Sequence, residues 1–487
     1  MKHKIYGSLV VLIALFTAFY VSDMSSNQVK GRYHQHIYAK EVKADESKDD
    51  NEFKTHLPIV LIDTFNEPVP GVPIDKTANS LKKYTTAKDG SKMTDASIKI
   101  IDNKGEYNYL NDEPKADLEA QIRVRGSSSR YFPKKNYLIR LTENKQHKYS
   151  KIMGMNPHYE WALHGPYLDK TLMRNYMWYN ISGEIMEYAP NVRYCEVFLN
   201  NKYIGLYLMT ETVSSGEENS RINLKKEDTG SKLTSYLLRL DRGSSVSFKN
   251  ISTLLNELKQ NEHVLDIKFP RKNTLTREKK QYIIDDFSSF EKRLFSYDYD
   301  TNAYGYWNDI DVKNFVDYYI INEFSGNLDS GIYSTYIYKS LGGKYKKVVW
   351  DFNNACDNYI DVQDDGKNLN PEKNIWDFML FKDEKFTEFV IKRYKELRET
   401  YLSEEYLLNY IDKTREYLGD AIDRNYEVWE SAYDDPILVP VERNIHSYDE
   451  AIDQLKNYII ERGKWMDENI EILRQYSHES HVKQFNH

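Results

Sequence analysis

Cysteine is nearly absent: Cys195 and Cys356 are the only two in 487 residues. A disulfide framework is therefore excluded as the source of stability, and a chain of this length buries enough apolar surface without one. Both read as buried free thiols, with pairing left open. Glycine (21) and proline (13) are also scarce, which excludes collagen-like and low-complexity chains. Basic charge shows no excess, since 67 Lys and Arg face 75 Asp and Glu for a formal net charge of −8. A dedicated nucleic-acid binder would carry a positive balance or a basic tail, so no nucleic-acid partner is expected. What is present points to a folded chain: 40% of residues are hydrophobic and 41 are tyrosine. That composition excludes wholesale disorder and leaves room for two or three ordinary domains or one large two-lobed enzyme.

One uncharged run, Ile5–Val21, follows Lys2, His3 and Lys4. As a helix its 17 residues reach about 25 Å at ~1.5 Å per residue. The bilayer core is ~30 Å, and Ser22 with snorkelling flanks extends the span. Neither an A-x-A cleavage pattern nor a lipobox cysteine follows, so an uncleaved transmembrane signal anchor over 5–22 is expected. Lys30 and Arg32 nearly balance the charge of residues 1–4; a tail this short stays inside, placing the bulk of the chain outside the cytoplasm. Residues 23–56 are polar and read as a linker with little capacity to bury surface.

From residue 57 the pattern is α+β. LPIVLIDT (57–64) reads as a strand; residues 120–126 and 135–141 alternate as the arms of a hairpin. A helix over about 171–187 follows, with Asp169 placed to cap it. A second hairpin covers 193–211 and turns at Asn200-Asn201. The second half reads as mainly helical, with apolar periodicity over 311–324 and 403–429 and a capping box at Ser447 and Glu450.

Residues 321–358 interrupt those helices. Asn327-Leu328-Asp329 lies in a Gly-flanked loop; Tyr333–Tyr338 and Tyr345–Trp350 form a hairpin turning at Gly342-Gly343. An antiparallel hairpin brings its outer ends together, so Asp329 and Asp351 fall at one end of a sheet. Two carboxylates placed this way suit metal-assisted phosphoryl transfer, one accepting a hydroxyl proton and the other holding magnesium against nucleotide phosphates. The plainer reading is that both cap turns. In the first half, Arg125-Gly126-Ser127-Ser128-Ser129 followed by Lys134 and Lys135 is a loop whose N–H groups and hydroxyls could cradle phosphate. Met209-Thr210-Glu211, where the chain passes to the helical half, is a candidate hinge offering backbone bonds to a purine.

RVRGSSSRYFPKKNYLIRL, LDKTLMRN, CEVFLNNKYIGLYLMTE, NEFSGNLDSG and VVWDFNNACDN, in this order, resemble the CotH kinase family of spore coat protein H. The resemblance runs from about residue 57 to 360 and on into the helical tail. It implies a divergent protein-kinase-like, two-lobed fold, with an N-lobe over about 57–211 and a C-lobe over about 212–480. It also implies phosphorylation of Ser or Thr in spore coat or cell-surface proteins with ATP and magnesium. Carried over, Asp329 is the catalytic-loop aspartate, Asp351 the metal-binding one, and Arg125, Ser127 and Ser128 belong to the phosphate loop. Lys135 is favoured over Lys134 as the phosphate-contacting lysine. Kinase analogy offers Glu184 as that lysine's partner, although solvation of a helix end explains Glu184 more simply. Two positions depart from the family pattern. Ser334 stands where many members carry an asparagine that ligates a second metal, and Asn353 where many carry an acid. The chain's acidic balance favours Ser-rich acceptors flanked by Lys or Arg.

Overall fold

The computed structural model describes residues 32–42, 52–74, 83–216, 221–224, 231–242 and 263–482. The chain divides into two units, 1–33 and 34–487; of the first, only Arg32 and Tyr33 are described, in irregular backbone. The expected anchor over 5–22 lies outside the described residues. Among those described, no helix is long and apolar enough to cross a membrane.

The second unit is α+β, β-rich at first and helical towards its C-terminus. Seven strands, β1 Ile59–Asp63, β2 Thr94–Ile101, β3 Ala116–Arg125, β4 Asn136–Glu143, β5 Glu160–His164, β6 Val192–Leu199 and β7 Lys202–Glu211, build one sheet, to which the two-residue strand Gln146–His147 adds at the end of β4. Its order is β5-β7-β6-β1-β2-β3-β4, and β5 also pairs with β4, so the sheet closes into a barrel. Every pairing among these strands is antiparallel except β6 with β1. Alternate residues fill the interior, among them Val60, Ile98, Ile122, Ile139, Trp161, Cys195 and Met209. Period-two alternation in 120–126 and 135–141 thus has a direct cause: one side of each strand faces this core. The Asn200-Asn201 turn is also as expected, with both residues in the left-handed region (φ 50° and 61°) that a two-residue hairpin of this twist requires.

A second, four-stranded antiparallel sheet comprises β8 Tyr236–Arg242, β9 His263–Phe269, β10 Thr335–Lys339 and β11 Tyr345–Val348, in the order β9-β8-β10-β11. Only its β10–β11 hairpin is legible from sequence. The helices are α1 Arg174–Ile185, α2 Arg277–Leu294, α3 Val312–Phe324, α4 Ile375–Leu380, α5 Glu384–Arg398, α6 Glu404–Leu418, α7 Asp420–Trp429 and α8 Tyr448–Asn469, with a four-residue turn of helix at Ser431–Asp434. Ser403 and Ser447 cap α6 and α8 by accepting the N–H groups of Tyr406 and Glu450. The single helix expected over 403–429 is two, because Gly419 adopts φ 46° and ψ −132°, a conformation open mainly to glycine. Both cysteines are free and buried, Cys195 inside the barrel and Cys356 in the larger core.

The linker reading fails for residues 34–36, which are buried. The Gln35 side-chain amide donates to the Tyr194 carbonyl (3.2 Å) and accepts from the Tyr194 N–H (2.6 Å). It therefore completes β6 where β1, which joins that strand from Glu196 onward, does not reach. His34 bonds Glu184 (2.7 Å) and Tyr410 (3.1 Å), and His36 bonds Tyr176 (3.0 Å). Glu184 therefore has a histidine partner, in place of the lysine that kinase analogy offers. Gln35→Ala strands two buried backbone groups of β6, and an unmet buried group costs about 1–3 kcal/mol. Urea denaturation is expected to show a loss of at least that size, and an unchanged midpoint would mean that the segment is not docked in solution.

Candidate active site

The loop that follows α3 is shaped by one glycine. Gly326 has φ 59°, and a Cβ there would meet the Tyr458 hydroxyl at 2.1 Å, so the chain turns where no larger residue fits. Asn327 is fixed next: its amide donates to Asn322 Oδ1 at 3.0 Å, and its carbonyl accepts from Lys373 Nζ at 2.6 Å. The Asp329 carbonyl then accepts from the N–H groups of Ile332 and Tyr333, which fixes the aspartate in a tight turn. Its carboxylate is buried. Oδ2 accepts from Asn354 at 3.1 Å, while Oδ1 is buried and meets no hydrogen-bond donor among the described residues.

Asp351 lies just past the returning strand, at φ 62°, and helix α1 holds it there. The Asp351 N–H donates to the Tyr179 hydroxyl (3.0 Å) and the Phe352 N–H to Asn175 Oδ1 (2.8 Å). Asn175 Nδ2 donates to Asn353 Oδ1, and Asn353 Nδ2 to Asp351 Oδ1, both at 2.6 Å. Upstream, Arg174 pairs with Asp169 at 2.6 Å and donates to the carbonyls of Ala355 and Cys356. Asp169 also accepts the Arg174 N–H, so it satisfies the start of α1 as expected although it lies several residues ahead of it. The LDKTLMRN segment is thus the clamp of the Asp351 loop, a role its helix-start signature did not reveal.

The electrostatics place the two aspartates together. Asp351 is pushed up to about 6, first by burial and next by the charge of Asp329, with Arg125 opposing. Asp329 is raised by burial too, against the charges of Arg242 and Lys373. Lys373 is itself pushed down to about 8 by burial, with Glu323 and Asp329 holding it up. Arg125 reaches the pair from the barrel: its guanidinium covers the Trp350 ring at 5.3 Å and donates to His164 Nε2 at 3.3 Å. Ser334 takes φ 50° just ahead of β10, two residues before the Tyr336–Val348 pair and so at the same end of the hairpin.

The remaining sequence candidates are placed elsewhere or otherwise occupied. Lys134 is buried and donates to the Leu206 carbonyl (2.7 Å) and to Asn425 (2.6 Å) on α7. Lys135 donates to the carbonyls of Arg130 and Phe132 and so ties its own loop. In that loop Ser127 is half-buried and Ser128 exposed. Arg130 fastens the loop from inside, through the carbonyls of Gly126 and Gly71. Met209 points into the barrel, and β7 is paired on both sides there, with Leu163 and with Arg193. The hinge reading is corrected on that point: the strand has no free edge to offer a purine. Glu211 is buried, and its Oε2 accepts from the Asn191 N–H and side chain.

The donor set fits a hard divalent cation shared with a phosphate ligand. Among the described residues no group of three or more His, Cys, Asp or Glu is placed to hold a metal, but magnesium bound through nucleotide phosphates needs only one or two carboxylates. Asp351 supplies one, and the unpartnered Oδ1 of Asp329 is the kind of orphaned acceptor that a ligand or a substrate hydroxyl completes. A carboxylate raised in the fold disfavours the native state once it ionises, so this cost grows as pH rises from about 4 to about 7 and vanishes below. Asp351→Asn removes the ionisation. Without divalent cations, the stability of the variant relative to the parent is therefore expected to rise over that pH range in denaturant titrations. A flat difference would refute the raised pKa.

The CotH kinase protein family matches residues 122–466, a span that opens inside β3 and continues past the last of the five motifs into α8. The chain is also 23% identical over 363 residues to the inner spore coat protein H of Bacillus subtilis (strain 168), an alignment covering 73% of this chain and 88% of that protein. With the family model matching residues 122–466, well over half of the chain, the chain belongs to the CotH kinase family.

Proposed function

We propose that this protein is an ATP- and magnesium-dependent kinase that phosphorylates Ser or Thr of spore coat or cell-surface proteins and so supports coat assembly. In this reading the barrel and the helical part act as the two lobes of a divergent kinase, and the run 5–21 tethers it to a membrane with the active site outside the cytoplasm. The observation that carries the reading is the placing of two buried carboxylates close enough for one charge to act on the other, Asp329 in its tight turn and Asp351 held by α1, with Asp329 Oδ1 meeting no donor among the described residues.

Each group then has a chemical task. Asp329 orients the acceptor hydroxyl and takes its proton as the serine oxygen bonds to the γ-phosphorus and the bond to the ADP oxygen breaks. Asp351 would hold magnesium, whose chemistry when bound is to neutralise charge on the phosphates. Asn353, bonded to Asp351, orients that carboxylate, and Ser334 would serve as a weaker second ligand. Arg125 offers a guanidinium to phosphate oxygens beside Trp350. Lys134 and Lys135 contribute by holding the loop and α7. Acceptors rich in serine and basic residues remain the proposed partners, drawn by the chain's net negative charge. A second reading, an inactive scaffold for coat or envelope assembly, draws on Ser334 standing in place of the commoner asparagine.

The two aspartates are expected to fail differently. Asp329→Asn keeps nucleotide binding and lowers turnover by the ~10²–10⁴-fold typical of lost acid–base assistance. Asp351→Asn weakens magnesium-dependent nucleotide binding along with turnover. Calorimetric nucleotide titrations with and without magnesium, beside turnover assays on a Ser-rich basic peptide, separate them. Full activity with unchanged metal dependence in both variants would discard the kinase reading in favour of the scaffold. Mass spectrometry of the acceptor tells phosphate from AMP addition.

Ser334→Asn carries a separate expectation. It restores an amide oxygen at the second-ligand position and should lower the magnesium concentration for half-maximal rate; an unmoved or raised value would remove Ser334 from the site.

A further inference from the structure

A row of arginines on the outer wall of the barrel is not explained by the fold or by the carboxylate pair. Ile122 and Val124 point into the barrel core, so Arg123 and Arg125 of β3 point outward. Across the sheet, Arg125 stands opposite Asn136 and Arg123 opposite Leu138; next along, Arg140 of β4 lies between Gln121 and Glu160. Beyond it, Arg271 covers the ring of Tyr159 at 4.8 Å, beside the first residue of β5. The row therefore starts at the active site and leads away from it.

The neighbouring carboxylates are already taken: Glu160 by Arg140, Asp241 by Arg239 and Asp266 by Lys268. Arg130 is turned inward onto two carbonyls. Arg123, Arg125 and Arg271 have no ion-paired carboxylate among the described residues. Guanidiniums gathered without counter-charge repel one another, and a fold gains from the arrangement only when an anion joins them. Half-buried Arg123 registers the repulsion: burial, then Arg130, Arg140 and Arg125, push its pKa down to about 10.

We propose that Arg123 and Arg271, continuing outward from Arg125, form a lane that binds a phosphoserine-bearing segment of the acceptor protein. The proposal rests on the kinase reading above and deepens it. Phosphate is the favoured anion because guanidinium forks grip its oxygens in pairs. The acceptor is favoured over the nucleotide because of direction. Outward residues of a strand are spaced ~6.6 Å apart, so the lane passes Arg123 and then Arg140 before reaching Arg271. Nucleotide phosphates belong at the near end, between Arg125 and Asp351. A serine-rich acceptor modified once would then be retained through its new phosphate while a further serine enters the site.

The test is a calorimetric titration of the full chain with two serine-rich peptides, identical except for one phosphoserine. It is run with and without saturating magnesium and a non-hydrolysable ATP analogue. The phosphopeptide is expected to bind about tenfold tighter than its twin, the effect of one charge-assisted contact, and nucleotide should not displace it. Arg123→Gln and the exposed-site variant Arg271→Gln should each shrink the preference, and Arg123→Lys should retain part of it. Because Arg271 is exposed, its variant keeps the test valid if Arg123→Gln fails to fold. Equal affinity for the two peptides overturns the proposal; so does competition by nucleotide, which would assign the lane to the triphosphate. Binding is read without turnover, so a failure of the kinase reading alone leaves this result distinct.

Discussion

Asp169 and Arg174 meet at 2.6 Å with both side chains almost wholly buried, and the loop carrying Asp351 is suspended from their contact. Removing two charges from water is costly unless every remaining donor and acceptor is met. Here they are largely met. Asp169 takes the hydroxyl and N–H of Thr171 and the N–H of Arg174 as well as the guanidinium. Arg174 continues to two loop carbonyls and to Gln454 on α8. One ion pair thus fixes the start of α1, the path of residues 355–356 and the approach of the last long helix. Asn175 and Tyr179, one residue and about one turn further along α1, then reach Asp351 and its neighbours. Breaking such a pair from one side leaves a bare buried charge, typically a loss of ~3–5 kcal/mol.

The carboxylate pair shows the opposite economy. Asp329 is near enough for its charge to oppose the ionisation of Asp351, and among the described residues no cation is ion-paired with either; Arg125, Arg242 and Lys373 act as nearby charges. A fold selected for stability alone would pair or remove them. Together with an acceptor oxygen that meets no donor among the described residues, they make this site a place where the fold leaves local stability unclaimed, which is the basis of the catalytic reading proposed above. Lys134 lies at the other extreme: a buried amino group that donates to a carbonyl and an amide, joining the barrel to α7.

Much of this was legible where local rules govern. Strand alternation in 120–126 and 135–141, the Asn200-Asn201 turn, the serine caps of α6 and α8, and the meeting of Asp329 with Asp351 all follow from short-range geometry. Illegible features depend on distant partners. His34, Gln35 and His36 are polar and sit in a charge-rich stretch, so they read as linker; only the unfilled edge of β6 and the tyrosines of α1 and α6 give them somewhere to dock. Long lysine side chains choose among many carbonyls, and nothing in P-K-K-N says that Leu206 and Asn425 will claim one and the loop itself the other. Gly419 could be read as a helix break, whereas β8 and β9 pair across residues 243–262, too long a separation for a short hairpin turn to announce them.

The barrel's single parallel seam has a consequence for how the protein is made. β1 closes the sheet by pairing residues 59–62 with 196–199, a contact between segments more than a hundred residues apart. Loop closure over such a distance is slow compared with forming hairpins. During synthesis Ile59–Asp63 emerges long before its partner strand exists, so the barrel cannot be sealed until the β6–β7 hairpin has been completed. Until then β1 can pair with β2 on one edge only, the other edge of an apolar, β-branched segment stays open, and self-association competes with folding. Folding yield should therefore be limited by the late arrival of β6, more than by any weakness of the finished core.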